Sequence, residues 1–136
     1  MPDMPEVVAR LVSATNDHDI DAVVECFSED YVNETPAHPQ RGFRGREQVR
    51  ANWTLIFVGV PDITARVVAS IVDGATAWTE WEMVGTRCNG TRHAMAGVII
   101  FGVAEGLITS ARFYLEPVEQ TSGDVNAAVQ RAVKAP

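Results

Sequence analysis

Three carboxylates stand where two strands can bring them together. Glu80 and Glu82 are two residues apart in the alternating run Thr76 to Gly85, so they share one strand face with Trp78 and Val84. In the last alternating run, Leu107 to Leu115, Arg112 and Tyr114 share a face that Glu116 continues. If these faces line one apolar cavity with Trp53, Phe57, Trp78, Met95 and Ile99, the carboxyl groups cannot all ionise, and at least one stays protonated near neutrality. A protonated and an ionised carboxyl side by side supply an acid and a base. Epoxide opening, aldol cyclisation and proton abstraction next to a carbonyl all need that pairing. The expectation is that Glu82 donates a proton and Glu116 activates a water or a substrate hydroxyl, with Tyr31 and Asn33 positioning it. The structural alternative is that Arg112 pairs with Glu80 or Glu82 at a rim, and that Tyr31 and Asn33 merely end a strand.

Other chemistries lack a pattern. His18, His38 and His93 show no His-x-His or His-Glu-x-x-His spacing, so no metal site is expected, although His38 is within reach of a cavity mouth. Cys26 and Cys88 are far apart and outside any Cys-x-x-Cys motif, which argues against a disulfide framework or a thiolate metal site. Gly42 and Gly45 read as a loop and a helix start rather than a phosphate cradle. No nucleotide or flavin motif occurs, and no cofactor is expected. Arg41, Arg44 and Arg46 read as a solvated helix entrance between Glu34 and Glu47.

The elements that must position these groups follow from periodicity. Val8, Leu11 and Val12 repeat at helical spacing from Glu6 to Thr15, and Asp19 suits the N-cap of a short second helix through Phe27 that Ser28, Glu29 and Asp30 end. Tyr31 to Asn33 reads as a short strand and Thr35 to Arg44 as a long loop. A third helix from Gly45 to about Phe57 buries Val49, Trp53, Ile56 and Phe57. After Pro61 the period becomes two, giving four strands: Ile63 to Val72, Thr76 to Gly85, His93 to Val103 and Leu107 to Leu115. Helices first and strands afterwards define an α+β domain, three helices on a curved antiparallel sheet, spanning 1–136 with 117–136 a tail or short helix. With the carboxylates on the helix side, Trp81, Met83, Val98, Ile100, Phe113 and Leu115 fall on the uncovered back, and a patch that size predicts a homodimer.

Composition narrows the partners. The 136 residues carry 18 acidic against 11 basic side chains, a net charge of -7, and no basic cluster stands apart from the carboxylates, so nucleic acid and anionic membrane surfaces are not expected. The longest apolar run, Ala94 to Ala104, is about eleven residues, short of the roughly 20 that cross a bilayer. Met1 to Glu6 carries acids and prolines where a secretory signal needs a basic segment and an apolar core, which points to the cytoplasm.

The order of elements, together with Tyr31-Val32-Asn33, Pro61-Asp62, Glu105-Gly106-Leu107-Ile108 and Arg112-Phe113-Tyr114-Leu115-Glu116, resembles the SnoaL-like branch of the nuclear transport factor 2 superfamily. Within it the chain is most similar to limonene-1,2-epoxide hydrolases. The resemblance implies a cone-shaped α+β barrel with a deep pocket between helices and sheet. In that family a tyrosine and an asparagine two residues apart hold a water with a carboxylate on the last strand, and a second carboxylate protonates the epoxide; these match Tyr31, Asn33, Glu116 and Glu82. Both family carboxylates are aspartates, and Glu80 stands where the family carries an arginine. The resulting expectation is a cofactor-independent enzyme on a small, apolar, oxygenated substrate, by epoxide hydrolysis or epoxide-opening cyclisation. The alternatives are an aldol-type polyketide cyclase or ketosteroid-like isomerase, and a non-catalytic ligand-binding protein of the same fold.

Overall fold

Alternation over the second half of the chain produces four long strands, as the periodicity predicts. The computed structural model describes residues 3–121 and 123–135; Met1 and Pro2, part of the segment weighed above as a signal, lie outside the described residues with Ser122 and Pro136. In chain order the elements are α1 (Glu6–Asn16), α2 (Ile20–Glu25), β1 (Phe27–Glu34), a 3-10 turn (Pro39–Arg41), β2 (Phe43–Arg44), α3 (Arg46–Gly59), β3 (Thr64–Asp73), β4 (Thr76–Thr86), β5 (Arg92–Ala104), β6 (Leu107–Pro117) and α4 (Val125–Val133). One six-stranded sheet runs β2-β1-β6-β5-β4-β3. β3 to β6 form an antiparallel meander, and β1 joins its end parallel to β6.

Local chemistry sets the helix ends. The Asp19 carboxylate accepts from the Ala22 amide at 3.1 Å and caps α2. Asn16 closes α1 onto β3 by exchanging hydrogen bonds with the Ala65 backbone, at 2.9 and 2.7 Å. The first strand begins earlier than Ser28-Glu29-Asp30 suggested. Phe27 already pairs with Ile108, and an irregularity before Val32 lets Glu29 and Asp30 face water while Phe27 and Tyr31 stay buried. The tail carries α4, capped by Asp124 through the Ala127 amide, with Val125, Val129 and Val133 exposed.

Which face of the sheet meets the helices differs from the expectation. On β4 the buried set is Ala77, Thr79, Trp81 and Met83, whereas Trp78 is 52% exposed and Glu80 faces solvent. Register carries the same division across the sheet. Trp81 lies opposite Gly97 and Gly97 opposite Leu115 on the inner face, while Glu82, Ala96 and Glu116 align on the outer one. The back-face set proposed from sequence is therefore divided. Trp81, Met83, Phe113 and Leu115 are inside; Val98 and Ile100 are outside. The physical reason is polar satisfaction: Trp81 Nε1 donates to Thr79 Oγ1 at 2.7 Å, and Thr79 Oγ1 donates to the Ile99 carbonyl at 2.6 Å. That relay lets an indole and a hydroxyl be buried without an orphan group, which three carboxylates on the same side cannot achieve.

Gly97 sits opposite Trp81 in the middle of β5. Its φ is +148°, and a Cβ there would run into the Tyr114 carbonyl oxygen of β6. Gly97→Ala should cost about 1–3 kcal/mol, measured by urea denaturation, because neither backbone can move aside without breaking the β5–β6 ladder.

Candidate functional site

A cavity of about 400 Å³ lies between α3, β1 and the inner face of the sheet. Its walls are mostly apolar, with Trp53 and Ile56 from α3 facing Met83, Met95, Phe113 and Leu115. The helical spacing of Val49, Trp53 and Ile56 turns one stripe of α3 toward this space. Among the described lining residues the polar groups are Tyr31, Asn33, Thr35, Arg41, Asn52 and His93, and no carboxylate is among them.

Tyr31 and Asn33 share a face because they are two apart on β1. The Tyr31 hydroxyl donates to Asn33 Oδ1 at 2.6 Å, and the two residues are only 1% and 7% exposed. The Tyr31 ring is itself held, edge-on to Phe27 at 4.7 Å and 6.0 Å from Phe43. Burial pushes the Tyr31 phenol far above its ordinary range, so it remains a neutral donor and not a base. Because the Asn33 carbonyl is occupied, its NH2 group is the part left to meet a ligand. On α3, Gln48 Nε2 donates to Asn52 Oδ1 at 2.9 Å and leaves the Asn52 NH2 in the same condition.

His93 enters the cavity from the start of β5. Burial, and then the nearby Arg87 charge, lower its pKa, so the imidazole is neutral near neutrality. It can accept or relay a proton, and it is the lining group whose ordinary titration lies closest to pH 7.

The carboxylates singled out from the sequence do not meet in this cavity, which corrects that expectation. Glu80 is exposed on the outer face of β4. Glu82 is bound there by Arg66, whose Nη2 and Nε lie 2.7 and 2.9 Å from Oε2. Glu116 has its Oε1 2.6 Å from His38 Nε2, with both side chains more than a third exposed. Arg112 reaches neither Glu80 nor Glu82; it donates to Glu34 Oε2 at 3.0 Å and to the Tyr114 hydroxyl at 3.3 Å, on the outer side. Of the expected lining, Trp53 and Met95 face the cavity. Ile99 lies in the core, Phe57 packs on Trp53 and His18, and Trp78 points outward.

Sequence reasoning missed Arg41, Asn52 and His93. His93 had a usable signal, since it precedes Met95 by two and must share its face. Asn52 lay within the α3 stripe, four residues after Gln48. Arg41 sits in an irregular loop, where no periodicity assigns a direction. Among the described residues no group of three His, Cys, Asp or Glu side chains is placed to hold a metal ion.

This architecture is that of a SnoaL-like protein. Residues 8–111 match the SnoaL-like domain, and the chain belongs to that family. Similar solved structures include the epoxide hydrolase/cyclase-like enzyme SalBIII of pyran ring formation in polyether salinomycin, 26% identical with a TM-score of 0.71, covering 82% of this chain and 88% of that one. An LEH-like epoxide hydrolase from Mycobacterium tuberculosis is 22% identical with a TM-score of 0.69 over 81% of this chain and 80% of that one. From the same organism, Rv0760c in complex with estradiol-17β-hemisuccinate is 18% identical with a TM-score of 0.69 over 79% and 89%. No curated protein sequence is significantly similar to this one. No helix among the described residues is long and apolar enough to cross a membrane.

The depressed His93 pKa sets a direction for pH dependence. The unfolded chain binds a proton at His93 below about pH 6.5 and the folded chain binds it only at lower pH, so this contribution is complete above that value and is lost as pH falls. Folding stability measured by urea denaturation should therefore decline between pH 7.5 and 5.5, and His93→Asn should decline less over the same interval.

Proposed function

We propose that this protein binds a small, largely apolar molecule through an oxygen acceptor, which the Asn33 NH2 group takes inside the cavity. The observation that carries this reading is the Tyr31–Asn33 hydrogen bond, which presents a fixed donor within apolar walls free of any described carboxylate. The complex of Rv0760c with estradiol-17β-hemisuccinate lends support from a similar fold. Epoxide opening by Glu82 and Glu116 is not favoured, because those groups face away from the cavity and are held by Arg66 and His38.

One observation favours a catalytic role beside binding. A neutral imidazole at His93 is able to take a carbon-bound proton next to a carbonyl held by Asn33, which is the chemistry of an aldol-type cyclase or an isomerase. The test uses a panel of cyclic ketones beside their parent hydrocarbons, by calorimetry and in deuterated water. Wild type should prefer ketones by about tenfold, Asn33→Leu should lose that preference, and Glu82→Gln with Glu116→Gln should keep it. Equal affinity for ketone and hydrocarbon would sink the binding reading. Deuterium entering the ketone, and lost in His93→Asn, would mark catalysis.

We further propose that the protein is a homodimer through the outer face of the sheet. Ile71, Trp78 and Ile100 align across β3, β4 and β5, and Ile71 and Trp78 are 71% and 52% exposed. Both cysteines are free thiols, which suits the reducing cytoplasm, where we place the protein. Light scattering should give twice the chain mass, reduced to one by Trp78→Glu; a wild type that stays monomeric at high concentration would refute the dimer.

A further inference from the structure

We propose that the ligand of this cavity carries a carboxylate, held at the mouth by the guanidinium of Arg41; the inference rests on the binding reading above and names its ligand class. Arg41 lines the cavity, and among the described residues its guanidinium has no ion pair and no hydrogen bond. Arg41 is exposed at its outer end and belongs to a cavity lining that holds no described carboxylate. Arg46, Arg50, Arg66 and Arg112 are paired with Glu29, Asp21, Glu82 and Glu34, while Arg44 and Arg92, also without an acidic partner, lie off this cavity.

The loop places Arg41 beside the Asn33 end of the cavity. Phe43 pairs with Asn33, and Gly42 lies so close that an added Cβ would be 3.1 Å from the Asn33 carbonyl oxygen. The Arg41 amide donates to the His38 carbonyl at 2.9 Å, which fixes the 3-10 turn that presents the side chain. Nearby, the Asn33 and Asn52 amides each have an NH2 group left to donate. Tyr31 fills the Asn33 carbonyl and Gln48 fills the Asn52 carbonyl.

A lining with one cation, two amide NH2 groups left to donate and no described acid is complementary to an accepting group of single negative charge. A carboxylate has that form and accepts two parallel bonds from a guanidinium. A phosphate monoester carries about two charges and calls for more than one cation. The apolar walls beyond the rim take the hydrocarbon part of the same molecule.

The test is calorimetric titration with apolar carboxylic acids of about 10 to 18 carbons, straight, alicyclic and aromatic, each beside its methyl ester. Wild type should bind acids at least about tenfold tighter than their esters, with added salt weakening the acids alone. Arg41→Gln should abolish that preference and leave the esters unchanged. Arg44→Gln removes the same charge from the edge strand, off the cavity, and should retain the preference. Acids and esters bound equally by wild type would overturn the inference and leave the binding reading intact. A preference that survives in Arg41→Gln would overturn it as well, by locating the carboxylate elsewhere. If neither acids nor esters nor the ketones above bind, the binding reading falls and takes this one with it.

Discussion

The indole nitrogen of Trp81 donates to the Thr79 hydroxyl, and that hydroxyl donates to the Ile99 carbonyl one strand away. These two bonds fix the inner face of β4. A buried indole or hydroxyl without a partner costs about 1–3 kcal/mol, so the pair is stable inside only as a relay. Once Trp81 is inward, alternation sends Glu80 and Glu82 outward, and the register of β5 and β6 sends Glu116 with them. The character of the cavity follows from a choice made at one strand.

The opposite choice would be expensive. An ion pair at an exposed surface is worth about 0–1 kcal/mol, but an unpaired buried carboxylate costs several kcal/mol. On the outer face Glu82 meets Arg66 and Glu116 meets His38, while Glu80 keeps its water. Turned inward, all three would leave those partners for walls made of Trp53, Ile56 and Met95. The neutral inner face needs no such compensation. The outer face tolerates both charge and the exposed Trp78.

Much of the fold was legible because its signals are local. Asp19 announces α2, alternation announces β3 to β6, and Val125, Val129 and Val133 announce α4. The orientation of the sheet was harder. Parity sorts a strand into two sets without saying which set is inside, and β5 is apolar on both faces and cannot arbitrate. The presence of two tryptophans, Trp78 and Trp81, on opposite faces of β4 removed the usual hydrophobic cue. Each has a threonine two residues earlier, Thr76 and Thr79, and what distinguishes Trp81 is that its threonine in turn donates across the register to the Ile99 carbonyl, a relay the sequence alone does not show. Tyr31 and Asn33 were legible as neighbours on one strand face through their spacing, whereas Arg41 depends on how a loop folds back on β1.

The polar side chains of the cavity are held in place by the fold itself. Phe27 and Phe43 hold the Tyr31 ring, Tyr31 holds the Asn33 amide, and Gln48 holds Asn52. Each of these contacts orders a side chain during folding, so its entropy is not lost again on binding. In both pairs the amide oxygen accepts and the NH2 group is left to donate. A molecule offering its own donors there would leave the asparagine NH2 groups unpaired, which penalises it more than a missing attraction would. The same hydrogen bond that stabilises the end of β1 thus leaves an amide donor, the Asn33 NH2, in the cavity wall.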